Sequence, residues 1–144
     1  MHAEVNIFLV DDDQEDQEIF SSVFKKINPA VNCFFANNGS DAISKISRNE
    51  ISVPDLILID MHMPKMNGIE CLIGLRKFAH LNHVPVYMYS TLAAPSMVNR
   101  CTESGATGYI KKDADIVDLH QTLSTLLHNH ITPAKTMHMA GRAS

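Results

Sequence analysis

The chain has no tryptophan and only three cysteines, Cys33, Cys71 and Cys101, among its 144 residues. An odd, widely spaced set without a C-x-x-C pair excludes a disulfide framework and a cysteine zinc site. The three read as small buried side chains in a reducing cytoplasm. No apolar run reaches the length of a membrane span, and charge begins at Glu4, too early for a secretion signal. Positive charge is scarce as well: 12 Lys and Arg stand against 16 Asp and Glu, for a net charge of −4. Lys25-Lys26 and Lys111-Lys112 are the only adjacent lysines, so no basic face for nucleic acid is expected. The patterns G-x-x-x-x-G-K-S/T and G-x-G-x-x-G are both missing, which removes the usual nucleotide sites. Repeats and low-complexity tracts are missing too.

What remains is a hydrophobic content of 45%, enough for one core without staples. It falls into short apolar runs. Leu56-Ile-Leu-Ile stops at one carboxylate, Asp60, and a loop punctuated by Pro64 and Gly68 follows. Ile7-Phe8-Leu9-Val10 runs in the same way into Asp11-Asp12-Asp13. Runs of this length read as strands buried on both faces. Strands are expected over 5–10, 31–36, 56–60, 86–89 and 107–110. Helices fall between them: 14–27, with Ile19, Phe20, Val23, Phe24 and Ile27 at helical spacing and Asp13 as a cap; a short one carrying Ala42, Ile43 and Ile46 after the turn Asn37-Asn38-Gly39; one with the capping-box pair Asn67 and Glu70; and one over 95–103 stopped by Gly105. A last helix carries Ile116, Leu119, Leu123, Leu126 and Leu127, with Asp113 as its expected cap.

Strict strand–helix alternation predicts an α/β fold, a doubly wound parallel sheet with helices on both faces. The order 2-1-3-4-5 suits five units and sets the first and third strands side by side. Asp11, Asp12 and Asp60 then converge at the carboxyl edge, where Ser90 and Lys112 also arrive after the fourth and fifth strands. Carboxylates crowded into one crevice repel each other, and a hard divalent cation, Mg²⁺, relieves this. The same ion bridges to phosphate oxygens. One carboxylate is then free to attack phosphorus and form an acyl phosphate, with Lys112 pairing Asp60 before the reaction and a phosphoryl oxygen after it.

These residues resemble a family, the receiver domains of two-component response regulators, with a flavodoxin-like fold. The resemblance covers residues 4 to 128. It is carried by Asp11-Asp12, by Asp60 within D-M-H-M-P-K-M-N-G, by Ser90, and by Lys112 within G-A-T-G-Y-I-K-K. It implies that Asp60 is the phosphoacceptor for a sensor histidine kinase or phosphotransfer protein. Asp11, Asp12, Asp60 and the backbone carbonyl of His62 would hold Mg²⁺. Ser90 would close on the phosphoryl group and Tyr109 would turn inward behind it, changing the face formed by the fourth helix, fifth strand and fifth helix (α4-β5-α5). Counting from Pro85 favours Ser90 over Thr91, and counting from Tyr109 favours Lys112 over Lys111. His62 and Leu92 would flank the path of the hydrolytic water.

The resemblance breaks at one place. Members usually have Pro after the active lysine, joined by a cis bond; here Asp113 follows, and a trans bond is expected because a non-proline cis bond costs about 2.5–4 kcal/mol. Residues 129–144 lack an apolar period and read as a tail, with no output domain. The chain is therefore expected to be a cytoplasmic signalling switch. It would catalyse only its own phosphorylation and autodephosphorylation, and would act on an unknown downstream protein or as a homodimer through α4-β5-α5. Two other readings are a phosphorylation-independent scaffold and a phosphohydrolase of the haloacid-dehalogenase type. The complete residue set argues against the first, and the Asp60 motif against the second. His128 and His130 read as a solvated helix end.

Overall fold

The computed structural model describes residues 4–92, 94–112 and 115–131. Five strands, β1 (Val5–Val10), β2 (Val31–Ala36), β3 (Leu56–Asp60), β4 (Val86–Ser90) and β5 (Gly108–Lys111), form one parallel sheet in the order β2-β1-β3-β4-β5. Five helices alternate with them: α1 (Gln14–Ile27), α2 (Gly39–Ser47), α3 (Gly68–Arg76), α4 (Pro95–Glu103) and α5 (Ile116–His130). A 3₁₀ turn, Ala79–Leu81, follows α3. The fold class and strand order are those expected from the sequence.

The period-two alternation of each strand divides the core in two. Phe8, Val10, Ile57, Ile59 and Met88 face α2, α3 and α4, where Ala42, Leu72, Leu75 and Cys101 are buried. Ile7, Leu9, Leu56, Leu58 and Tyr89 face α1 and α5, meeting Phe20, Phe24, Leu119 and Leu123. Every residue of β3 is buried, so the apolar run has no solvent face on which to place a charge until it ends at Asp60. Local chemistry sets the helix starts. Asp13 accepts from the Glu15 amide, Asn38 from Asp41, and Asn67 and Glu70 form the reciprocal capping box. Gly105, with φ +110°, ends α4 in a conformation that disfavours other residues.

Several boundaries differ from expectation. Gly39 lies inside α2 rather than in a turn, because Asn38 caps that helix. β4 includes Ser90, and β5 starts one residue late and includes Lys111. Asp115, not Asp113, caps α5, since its carboxylate reaches the Val117 amide. Asp113, the Lys112–Asp113 bond, the side chain of Ile116 and residues 132–144 lie outside the described residues. α5 continues to His130, past the expected end at 128, and Ile131 behind it is buried. His130 is not simply solvated: its Nε2 lies 2.5 Å from the Tyr87 hydroxyl.

Candidate functional site

The register Val10↔Ile59 between β1 and β3 brings the two strand ends level, so Asp11 and Asp60 emerge side by side. Both are buried and Asp12 is exposed, yet the three can each offer a carboxylate oxygen within 4.8 Å of the others. Short bonds fix the two buried groups. The His62 amide donates to Asp60 Oδ1 at 3.1 Å, and the Asp13 amide to Asp11 Oδ1 at 2.9 Å. The buried Tyr89 hydroxyl donates to Asp11 Oδ2 at 2.5 Å. Gln17, buried on α1, donates its side-chain amide to the Asp11 carbonyl at 2.7 Å. Behind Asp60, a Cβ on Gly68 would lie 2.6 Å from the Asp60 carbonyl oxygen, so only glycine lets α3 start this close to the end of β3.

Lys112 enters from the end of β5. Ser90 pairs with Lys111 in the register, and the Lys112 amide donates to the Ser90 carbonyl at 2.6 Å. Lys111 is exposed, whereas Lys112 reaches in among the carboxylates, as strand alternation predicts for the pair. Its Nζ is 2.7 Å from Asp16 Oδ2, 3.8 Å from Asp60 Oδ2 and 4.0 Å from Asp11 Oδ2. It also lies 4.9 Å from the centre of the Tyr89 ring. The expected partner was Asp60. The nearest is Asp16, in the first turn of α1.

Burial pushes the Asp11 carboxyl up to about 7, with the field of Asp60 adding to the rise and the Tyr89 and Asp13 hydrogen bonds and Lys112 opposing it. Asp60 is also raised, chiefly by burial and further by Asp12, against the His62 amide and Lys112. Burial alone would lower the Lys112 ammonium; the Asp16 hydrogen bond and the nearby carboxylates outweigh it and hold the group above its ordinary value. The site thus has more negative charge than one lysine offsets. All-oxygen donors, two of them buried and reluctant to ionise unaided, fit a hard divalent cation.

On the β4 side, Ser90 is buried and its Oγ accepts from the Leu92 amide at 3.1 Å. The ring of the exposed His62 reaches back, placing Nε2 3.0 Å from the same oxygen. Leu92 and Thr91 are exposed. Tyr109 lies on this same side, where burial raises its phenol, Ser90 opposes the rise and the field of Asp60 adds to it. Its hydroxyl donates to the Leu92 carbonyl at 2.6 Å and approaches Met97 Sδ at 3.1 Å, tying β5 to the connection after β4.

Asp11, Asp12, Asp60, His62, Ser90 and Lys112 are therefore gathered at one edge. Three further residues, Asp16, Gln17 and Tyr89, complete the surroundings and were not singled out from the sequence. Signals for them exist. Gln17 extends the buried stripe of Phe20 and Phe24 at helical spacing, Asp16 lies four before Phe20, and Tyr89 is a large phenol in an otherwise aliphatic strand position.

Residues 7–124 match the response regulator receiver domain family. Among curated proteins, the chain is 35% identical over 126 residues to the hybrid signal transduction histidine kinase M of Dictyostelium discoideum, covering 85% of this chain but 5% of that kinase. It is 27% identical to the two-component response regulator ARR17 of Arabidopsis thaliana, covering 89% of this chain and 88% of that protein. Among solved structures, the chemotaxis protein CheY4 of Vibrio cholerae aligns with a TM-score of 0.76 at 25% identity, over 87% of this chain and 100% of that one. The Borrelia burgdorferi CheX-CheY complex with BeF₃ and Mg²⁺ aligns with a TM-score of 0.72 at 27% identity, over 85% of this chain and 89% of that one. With its five-strand order and its acidic edge, the chain belongs to the response regulator receiver domains, the phosphorylation-activated signalling modules of two-component systems.

Proposed function

We propose that this protein is a phosphorelay switch in which Asp60 accepts a phosphoryl group from a histidine kinase or phosphotransfer protein. One observation carries the reading: Asp11, Asp12 and Asp60 converge at the carboxyl edge with the Lys112 ammonium beside them. An Asp60 oxygen attacks phosphorus, the P–N bond of the donor phosphohistidine breaks, and the imidazole leaves with the electron pair. Asp11, Asp12, Asp60 and the backbone carbonyl of His62 are the groups that would hold Mg²⁺. Bound there, the ion offsets the carboxylate charge and polarises the phosphoryl oxygens. Lys112 and the Ser90 hydroxyl then donate to two of those oxygens.

Ser90 Oγ accepts from the Leu92 amide and meets the His62 ring, so its closing on a phosphoryl oxygen pulls on the connection that Tyr109 grips through the Leu92 carbonyl. Tyr109 also borders a shallow depression lined by Ile110, Lys111, Gln121 and Leu126. Charge arriving at Asp60 is thereby coupled to the α4-β5-α5 face, which a downstream protein or a second copy would read. The exposed His62 and Leu92, two residues past Asp60 and Ser90, would flank the path of the hydrolytic water in autodephosphorylation. The three free cysteines suit a cytoplasmic setting.

The test is intact-protein mass after incubation with acetyl phosphate and Mg²⁺, beside Asp60→Ala. One added phosphate, lost in the variant and without magnesium, is the expected result. No adduct in a folded protein that also ignores fluoroberyllate would instead indicate a phosphorylation-independent scaffold.

A further inference from the structure

Lys112 faces three carboxylates and hydrogen-bonds to one of them. Its 2.7 Å contact with Asp16 Oδ2 is a charge-assisted hydrogen bond, while 3.8 Å to Asp60 and 4.0 Å to Asp11 are outside hydrogen-bond range. The Tyr89 ring beneath the ammonium, itself tied to Asp11, supports that position. From this geometry we propose that Asp16 is a positioning residue that parks Lys112 short of the acceptor and so sets how tightly the site holds a phosphoryl group. The inference rests on the reading of Asp60 as the phosphoacceptor.

Three features make the arrangement an exchange rather than a permanent brace. A lysine ammonium is a compact charge on a flexible stem and can change partners without matching a planar fork. Asp16 is partly exposed and sits in the first turn of α1, where solvent and the helix N-terminus continue to favour its charge after Lys112 leaves. The pair is also incompletely buried on both sides, so separating it leaves no orphaned ion in the core. A phosphoryl group on Asp60 must therefore draw Lys112 from a competitor, and the strength of that competitor sets the outcome. Asp16 thus opposes capture, in contrast to Asp11, Asp12 and Asp60.

The experiment is a titration of the full chain with fluoroberyllate at saturating Mg²⁺, followed by ¹⁹F NMR, on wild type, Asp16→Asn, Asp16→Glu and Glu15→Gln. Asp16→Asn is expected to bind roughly twofold to fivefold more tightly, the range of a partly exposed ion pair. Asp16→Glu retains the competing charge and stays near wild type. Glu15→Gln removes the same charge from the same exposed turn and changes affinity less than Asp16→Asn. A residue that merely supported α1, or that helped hold the cation, would weaken binding when changed. Unchanged or weaker binding by Asp16→Asn, or an equal gain in Glu15→Gln, overturns the inference. Wild-type protein that takes up no fluoroberyllate overturns the acceptor reading itself, and this inference with it.

Discussion

Two cations serve opposite ends of the same sheet and are held in opposite ways. Arg76, at the end of α3, donates to the carbonyls of Leu81 at 2.7 Å, Val84 at 2.8 Å and Gly105 at 3.0 Å. Its partners are neutral, belong to fixed backbone, and match a planar fork. Lys112 is surrounded by ionisable side chains with a demand for positive charge that it does not meet alone. The amino edge of the sheet is a closed hydrogen-bond account, and the carboxyl edge is left open to a further cation or anion. Stability is concentrated at the first edge and chemistry at the second.

Breaking the closed end should have the largest effect. Arg76→Ala removes three hydrogen bonds to backbone carbonyls, of which Leu81 keeps the Val84 amide, and is expected to cost roughly 3 kcal/mol, read as a fall in the urea midpoint, while fluoroberyllate affinity is retained. An equal loss of affinity would mean that the two ends are not independent. Next, Tyr89→Phe removes the donor to Asp11 and should cost about 1–2 kcal/mol. Because that hydrogen bond lowers the Asp11 pKa, the variant should also need a higher pH to bind Mg²⁺, measured as the pH midpoint of metal binding.

At the open end the sign reverses. Asp60→Asn relieves repulsion and should stabilise the metal-free protein by about 1 kcal/mol at pH 8. The pH dependence follows from the raised Asp11 pKa. The folded protein binds a proton more tightly than the unfolded chain, so this contribution to stability is present below 3.8 and lost as pH rises through about 7. The gain from Asp60→Asn should therefore shrink towards pH 5. Thermal melts in chelator at the two pH values check it, and a gain independent of pH would show that repulsion is not its source. The smallest effect is expected from His62→Ala, which frees Ser90 Oγ from the imidazole; autodephosphorylation should change by about twofold to fivefold, on the scale of one exposed hydrogen bond.

The sheet order and the convergence of Asp11, Asp12 and Asp60 were legible because a buried strand can carry a charge only where it ends. The choice of Lys112 over Lys111 followed from counting from Tyr109, with strand alternation sending Lys111 to another side. The partner of Lys112 was not legible. It depends on how α1 is rotated against the sheet, and the spacing of Asp16 alone does not reveal that its carboxylate lies nearer than Asp60. Tyr89 reads as one more strand residue until its hydroxyl is seen to meet Asp11. The cap of α5 was misplaced because Asp113 and Asp115 carry the same chemistry, and only the backbone path decides which reaches the helix amides. The end of α5 was missed for a related reason: His130 is held by Tyr87 across the fold, not by any local pattern.

The tyrosines have an optical consequence. All three stand on two adjacent strands: Tyr87 against His130, Tyr89 against Asp11, and Tyr109 against the Leu92 carbonyl. With no tryptophan to mask them, the near-ultraviolet tyrosine bands come only from β4 and β5. One phenol senses the helix end, one the acidic edge and one the connection after β4, so single Tyr→Phe substitutions would separate three local signals in an unlabelled protein.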